Sequence, residues 1–238
     1  MLLEETLANV WPSFSHMLYD GWLLRFTPGY SKRNNSVWPI IDGDIPLETK
    51  IAFCEQQYAA RELFCSFRLT DRPGHDVIER QCVARGYIVQ NPNLVMVCPL
   101  RETTEAVISE LALDDWLETI FRIHPTEDGG FIDWERQVLQ RLALPSHYVV
   151  IMRHEKACGY GRSVQQDRTL VIEDLWTLPE LRGQGLGTQL IQGLFRLGYN
   201  DGAEAAVLTV NEPNKGARRL YERLGFTRSY AYRYLVQE

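Results

Sequence analysis

The sequence predicts a mixed α/β fold in which helices cover a central sheet. In the second half of the chain, short apolar runs alternate with stretches whose apolar residues recur every three or four positions. One apolar run ends in a glycine-rich turn that opens directly onto such an amphipathic stretch. Alternating strands and helices of this kind are typical of a sheet covered by helices.

Composition narrows the class of protein. The chain has 238 residues, a formal net charge of −6 and five scattered cysteines without a Cys-x-x-Cys pair. The negative charge argues against nucleic-acid binding, and the absence of an apolar run of about 18 residues argues against a membrane protein. Unpaired cysteines favour reduced thiols, so a cytoplasmic location is expected. The histidine and cysteine spacings indicate no metal site.

A boundary between two domains is predicted near residue 102. The segment Pro99–Glu105 is charged and poorly patterned, and it follows a strand-like run that starts at Leu94. We therefore expect an N-terminal domain over residues 1–102 and a second domain over residues 103–238.

The second domain divides into alternating elements. Apolar periodicity of three to four residues predicts helices over 113–123, 131–142, 185–199 and 214–224. Apolar or alternating runs bounded by polar turns predict strands over 147–152, 159–164, 170–178, 205–210 and 229–236.

The turn Arg182-Gly-Gln-Gly-Leu-Gly187, followed by Thr188, carries the first chemical signal. Glycines let a backbone approach an anion closely and adopt positive φ. The N-terminus of a helix offers unpaired N–H groups and the positive end of the helix dipole. Together these features indicate a phosphate or pyrophosphate site, although glycines also occur in ordinary strand-to-helix turns.

A second signature follows in the segment from Asn211 to Phe226. Asn214 comes directly after a proline and is a good N-cap. Gly225 suits the left-handed residue that ends a helix. Tyr221 lies on the apolar face of that helix, where an aromatic side chain is more often core than catalytic.

Taken together, the two signatures resemble the GCN5-related N-acetyltransferase (GNAT) superfamily. Arg182–Gly187 matches its Arg/Gln-x-x-Gly-x-Gly/Ala loop, and Asn211–Phe226 matches its Asn-x-x-Asn…Ala-x-x-Leu-Tyr…Gly-Phe segment. The resemblance implies the acyl-CoA N-acyltransferase fold, with a sheet splayed at a β-bulge and acetyl-CoA as the cofactor in the split.

The resemblance also implies roles for particular residues. The backbone of Leu175, Trp176, Thr177 and Leu178 would pair with the pantetheine arm. Tyr221 would protonate the departing thiolate. The remaining implied cofactor-binding residues are Arg182, Gly183, Gln184, Gly185, Leu186, Gly187 and Thr188 around the pyrophosphate, and Asn211 and Asn214 beside Tyr221.

A group that accepts the proton of the substrate amine is also needed, because an amine of pKa about 10 is almost fully protonated at pH 7. Glu173 and Asp174 lie on the strand before the glycine turn. Adjacent residues on a strand face opposite sides, so one carboxylate should point into the cleft. We favour Glu173, but a bulge can reverse the choice, and removal of the proton through water is the alternative.

The first half of the chain contains an internal echo of the second. Residues 67–73 and Arg85-Gly86-Tyr87 parallel residues 207–213 and Leu224-Gly225-Phe226. The echo suggests duplication, and the first half would be a degenerate GNAT-like copy, with Cys82 where Tyr221 stands. Its polar segment, which includes Arg25 and Tyr30, has two interpretations. It is either a polar and aromatic cluster that faces the acceptor amine or a twisted hairpin with a solvated basic tip.

The predicted function is that of a transferase, an acetyl-CoA-dependent N-acetyltransferase that acts directly on a primary amine of a small molecule or peptide. No cysteine occupies a motif position, so a covalent acetyl-enzyme is not expected. The alternative is a non-catalytic acyl-CoA-binding sensor or interaction module. No nucleic-acid or membrane partner is expected, and a monomer or loose homodimer is favoured.

Overall fold

A computed structural model describes residues 3–29, 31–90, 92–102, 107–124 and 129–237 of the chain. The helices of these residues are α1 Leu3–Asn9, α2 Leu47–Ala59, α3 His75–Ala84, α4 Leu113–Ile123, α5 Gly129–Leu139, α6 Leu186–Asn200 and α7 Lys215–Arg223. The strands are β1 Ser15–Tyr19, β2 Trp22–Phe26, β3 Val37–Pro39, β4 Ser66–Thr70, β5 Ile88–Val89, β6 Asn93–Pro99, β7 Ser109–Leu111, β8 Ser146–Arg153, β9 Lys156–Gln166, β10 Thr169–Thr177, β11 Ala205–Asn211 and β12 Thr227–Val236.

The chain forms two compact units. Unit 1 contains the residues up to 94 together with 211–213 and those from 230 onward, and unit 2 contains residues 95–210 and 214–229. The predicted boundary at residues 102–103 stays a prediction, since residues 103–106 lie outside the described residues. Both units are mixed α/β, as the sequence predicts.

In unit 1 the strands follow the order β1-β2-β3-β4-β12. Strand β3 pairs in parallel with β4, and β12 runs antiparallel to β4 from Tyr232↔Thr70 to Val236↔Ser66. The core of this unit consists of fully buried side chains from strands and helices, among them Leu24, Ile51 and Phe67.

Arg25 of unit 1 lies in the interior, not at a solvated tip. It is 2% exposed, and its guanidinium donates to the carbonyls of Ala8 at 2.9 Å and Arg33 at 2.6 Å, and to that of Trp11. Carbonyl acceptors thus compensate part of the cost of burying this charge. Strands β2 and β3 pair as an antiparallel hairpin, as the second interpretation expects, but Arg25 is buried on β2 and does not belong to a solvated tip; Tyr30 lies outside the described residues.

A buried ion pair holds α1 in unit 1. Arg68 donates from both Nε and Nη2 to the carboxylate of Glu4 at 2.8 Å, in a bidentate arrangement. The hydroxyl of Tyr230 donates to the same carboxylate at 2.5 Å. Because of these bonds, the pKa of Glu4 lies below its usual range even though burial alone would raise it.

In unit 2 the strands follow the order β6-β11-β10-β9-β8-β7. Strand β10 is parallel to β11 and antiparallel to β9. Helix α6 packs on β8, β9 and β10, with Leu190, Ile191 and Leu194 fully buried, because its apolar residues recur on one face. The predicted elements of this half are all present, with bounds that differ from the predicted ones by at most three residues.

The ends of α3 and α7 support the internal echo. In α3 the amide of Tyr87 donates to the carbonyl of Cys82 at 3.1 Å, and in α7 the amide of Phe226 donates to Tyr221 at 3.0 Å. The glycines between them, Gly86 and Gly225, have φ of 90° and 91°. Both helices therefore end in the same left-handed glycine cap.

No helix in the described part of the chain is long and apolar enough to span a bilayer. The five cysteines are free and buried, which agrees with the prediction of reduced thiols.

His75 predicts how the stability of the protein depends on pH. Its Nδ1 accepts from the amide of Thr70 at 2.8 Å, so Nε2 carries the proton and faces the Pro39 carbonyl at 3.1 Å. Burial lowers the pKa of this imidazole below 6.5. As pH falls, the unfolded chain therefore binds a proton at this histidine before the folded protein does. The contribution of His75 to the free energy of unfolding is fully present above pH 6.5 and falls below it, by at most about 1.4 kcal/mol per pH unit.

Urea unfolding at pH 7.5 and pH 5.5 measures this loss. Glu4 and Asp20 have pKa values lowered from 4.5 and 3.8, so they titrate outside that window. His75→Gln keeps one acceptor and one donor without a titration, and we expect it to lose less stability between the two pH values. An equal loss in both proteins would contradict the assignment.

Candidate functional site

A cleft of about 680 Å³ opens in unit 2 between the end of β10, the turn before α6, and α7. Its lining combines the two sequence signatures. The residues that line it are Leu175, Trp176, Thr177, Leu181, Arg182, Gly183, Gly185, Leu186, Gly187, Thr188, Asn214, Gly216, Ala217, Leu220, Tyr221 and Arg223.

The glycine turn forms one wall of the cleft. Gly183 and Gly185 have φ of 78° and 84°, a left-handed conformation that glycine adopts without steric cost. A Cβ built on either residue meets no heavy atom within 4 Å. The backbone of the turn thus borders open space. Gly187 is different, because a Cβ there would lie 2.9 Å from Cδ2 of Leu220, so this glycine leaves room for the Leu220 side chain of α7.

The N-terminus of α6 points its amides at this space. Gly185 is the N-cap residue, and no side chain caps the helix within the described range 129–237. The first α-helical bond is donated by Gln189 to the Gly185 carbonyl at 3.0 Å. The amides of Leu186, Gly187 and Thr188 lie in the first turn, where an amide has no intrahelical acceptor. Together with the helix dipole, they favour binding of an anion.

Strand β10 provides the floor of the cleft because it separates from its parallel neighbour. Its register with β11 runs from Thr169↔Ala205 to Ile172↔Leu208, while β10 itself continues to Thr177. On the other side, the register with β9 shifts between Glu173 and Trp176. This β-bulge was expected from the resemblance, and the split begins at the same place.

Helix α7 forms the opposite wall. The Asn214 side chain accepts from the amide of Ala217 at 3.1 Å, as predicted for an N-cap. Tyr221 is 9% exposed, and its ring packs edge-on against Phe226 at 5.9 Å. The side chain therefore packs against the core and also borders the cleft.

The phenol of Tyr221 is held in its protonated form. Burial raises its pKa to about 12, and the negative charge of Glu173 contributes to the rise. Glu173 is itself buried, at 6% exposed. The charge of this carboxylate thus acts on the phenol, although Glu173 is not among the residues that line the cleft.

Asp174 takes another direction. Its carboxylate accepts from Nε of the fully buried Arg162 at 2.5 Å, and its φ is 51°. Leu178, Gln184 and Asn211 also fall outside the lining. The Leu178 amide donates to Cys158, and the Gln184 side chain accepts from Arg153 at 2.6 Å.

Sequence reasoning missed five lining residues, which are Leu181, Gly216, Ala217, Leu220 and Arg223. Ala217 and Leu220 belong to the second signature, but they were assigned only to the apolar face of the helix. A helix that forms one wall of a cleft exposes part of that face to the ligand, so its periodicity alone does not separate packing from binding.

Comparison with known proteins identifies the family. The model of the Acetyltransferase (GNAT) family matches residues 107–226 of the 238. The chain belongs to this family. The prediction of a GNAT N-acetyltransferase is confirmed.

Similar proteins extend the match over nearly the whole chain. The uncharacterized N-acetyltransferase YobR of Bacillus subtilis is 23% identical over 252 positions, covering 99% of this chain and 97% of YobR. The GCN5-related N-acetyltransferase from Kribbella flavida has a TM-score of 0.69 at 15% identity, covering 94% of this chain and 90% of that one. A tandem GNAT protein from the clavulanic acid biosynthesis pathway has a TM-score of 0.64 at 10% identity, over 85% and 75%. These solved structures share the GNAT fold, and the last one parallels the predicted tandem arrangement.

The cap of α7 generates a prediction. Asn214→Ala removes the acceptor for the Ala217 amide, so we expect a loss of about 1 kcal/mol in the free energy of unfolding. Asn214→Asp keeps an acceptor of the same length and should retain most of the stability. Chemical denaturation of both variants checks this, and equal stability of the alanine variant and the parent would show that the cap contributes nothing.

Proposed function

We propose that the protein binds acetyl-CoA in this cleft and transfers the acetyl group directly to a primary amine of a small molecule or peptide. One observation carries the proposal. The glycine turn, the uncapped N-terminus of α6 and the protonated phenol of Tyr221 border the same cavity. This arrangement combines an anion site with a proton donor.

The cleft fits the cofactor. A diphosphate needs N–H donors and backbone that can approach closely, and the turn from Gly183 to Gly187 supplies both. Open space over Gly183 and Gly185 leaves room for phosphate oxygens that a Cβ would displace. Arg182 is exposed at the mouth of the turn and adds positive charge. A volume of about 680 Å³ is in the ordinary range for small-molecule sites.

The end of β10 suits the pantetheine arm. Past Ile172 the strand has no register partner in β11, within the stretch 129–237 that the structure describes. The amide-containing arm of CoA therefore meets an edge of backbone at Leu175–Thr177, where strand-like hydrogen bonds are available.

The reaction needs three proton movements when the amine enters as a cation. A bond forms between the amine nitrogen and the acetyl carbon, and the thioester C–S bond breaks. The amine loses one proton before it attacks, which is finally released to solvent, and a second as the amide forms, which replaces the proton that the departing sulfur receives. Acetyl-CoA supplies the activated acetyl group when bound. Tyr221 holds a proton at neutral pH because its pKa is raised to about 12. In this proposal it donates that proton to the sulfur as negative charge develops there.

Glu173 accepts the proton of the amine in this proposal. Its charge acts on Tyr221, so the two groups lie within electrostatic range of each other. Because Glu173 does not line the cleft, the proton reaches it through water. A carboxylate is ionised at neutral pH and also attracts a cationic amine. Asp174 was the other candidate for this role, but its carboxylate is engaged by Arg162.

Tyr221→Phe tests the proposal with the smallest change. We expect kcat to fall at least tenfold on any accepted amine, with the Kd of CoA changed less than threefold, because only the proton donor is lost. Release of free thiol from acetyl-CoA over a panel of amino acid derivatives, polyamines, aminoglycosides and peptide N-termini measures turnover. Calorimetry measures CoA binding.

The same panel separates an enzyme from a sensor. Binding of CoA by the parent protein without turnover on any amine would favour the acyl-CoA-binding module. A Tyr221→Phe variant with unchanged kcat would remove the proposed acid, and absence of CoA binding would overturn the whole proposal.

Gly185→Val should have the opposite signature. A branched side chain would occupy the space over the turn, so we expect the Kd of CoA to rise at least tenfold. Gly202→Val is the matched control, since Gly202 has φ of 85°, has nothing within 4 Å of a built Cβ, and follows the other end of α6. If both variants lose CoA affinity equally, backbone strain and not the anion site explains the effect.

A further inference from the structure

We propose that Asp174 and Arg162 form a positioning pair that holds the bulge of β10, and that Asp174 does not take the proton of the amine. The expected effect on turnover rests on the proposed function. The claim that the pair holds the bulge rests on the geometry of β9 and β10 alone.

The backbone at Asp174 is strained. Its φ of 51° lies in the left-handed region, which costs free energy for any residue with a Cβ. Aspartate tolerates this region better than most residues. Such a conformation persists only where surrounding interactions enforce it, and the ion pair to Arg162 is an interaction of this kind at the Asp174 side chain.

Arg162 makes this contact from the interior. It is 0% exposed and donates from Nε to Oδ2 of Asp174 at 2.5 Å. Loss of the Asp174 charge would therefore remove a compensating partner from a buried cation, which is costly. Burial raises the pKa of Tyr148, and the charges of Arg162, Asp174 and Glu135 also act on its phenol.

The neighbouring strand is shaped for the bulge. A Cβ on Gly159 of β9 would lie 2.6 Å from the carbonyl oxygen of Trp176. A Cβ on Gly161 would lie 3.0 Å from Cδ1 of Leu175. Glycines therefore let the strand after the bulge approach β9 more closely than other residues would allow.

The bulge decides which groups reach the cleft. Glu173 is opposite Arg162, and Trp176 is opposite Tyr160. Between these two pairs β10 has two residues and β9 has one. One extra residue reverses the alternation of the strand after that point. Without it, the backbone N–H groups and side chains of residues 175–177 would exchange sides. Asp174 and Arg162 thus act through the position of other residues.

Asp174→Asn is the decisive variant. Asparagine tolerates left-handed φ and retains an oxygen for Arg162, but it lacks the charge. We expect kcat to fall about tenfold while the acidic limb of the kcat–pH profile keeps its midpoint. Glu173→Gln, by contrast, should remove that limb. Asp114→Asn is the control, since Asp114 pairs with Arg136 at 2.9 Å on the surface of unit 2 and should leave kcat unchanged.

Hydrogen exchange gives a readout that does not need turnover. Exchange of the peptide covering residues 172–178 should accelerate at least tenfold in Asp174→Asn and remain unchanged in Asp114→Asn. If the parent turns over no amine, the proposed function fails, and this measurement still decides the positioning role. Should Asp174→Asn not fold, Arg162→Lys carries the same comparison, since it keeps the buried charge and loses the planar guanidinium.

Two results would overturn the inference. Loss of the acidic limb in Asp174→Asn, with the limb retained in Glu173→Gln, would make Asp174 the proton acceptor. Unchanged exchange over residues 172–178 together with kcat within twofold of the parent would show that the pair does not hold the bulge.

Discussion

The architecture of the site depends on one strand that parts from its neighbour. Strand β10 pairs with β11 through Ile172 and with β9 as far as Thr177. An unpaired strand edge can pair with another strand. Here the unpaired edge of β10 lines the cleft. The glycine turn and α6 follow β10 directly, so separation of the strands brings a backbone edge and a helix N-terminus to the same cavity.

The turn before α6 on one side and α7 on the other make this edge the floor of a cleft with two walls. The absence of a side chain at Gly187 lets the Leu220 side chain approach α6. Gly183 and Gly185 have a different role, since their φ values are positive and no atom occupies the space above them. One short motif therefore contains two kinds of glycine, which serve helix packing and ligand approach.

Local signals in the sequence predicted the fold of unit 2 well. The periodicity of 113–123 and the cap at Asn214 depend on residues close in the chain, and both agree with the structure. The ion pair of Arg162 and Asp174 was not predicted, because it depends on the register of two strands and on a one-residue bulge. Arg25 shows the same limit, since its burial is determined by carbonyls from other segments. A sequence pattern predicts which face of a helix or strand a residue occupies. The residue that it contacts on that face depends on strand register and tertiary packing.

The two units end a helix in the same way although different side chains stand at the equivalent position. Cys82 occupies in α3 the place that Tyr221 occupies in α7, and the carbonyls of both accept the same hydrogen bond from the residue after the glycine. Cys82 is 0% exposed, and burial raises the pKa of its thiol to about 12. Such a thiol is closed off from proton exchange with a ligand, whereas the phenol of Tyr221 borders a cleft. The backbone contact requires only a glycine in the left-handed region, so the side chain at this position can differ while the helix end that contains it remains intact.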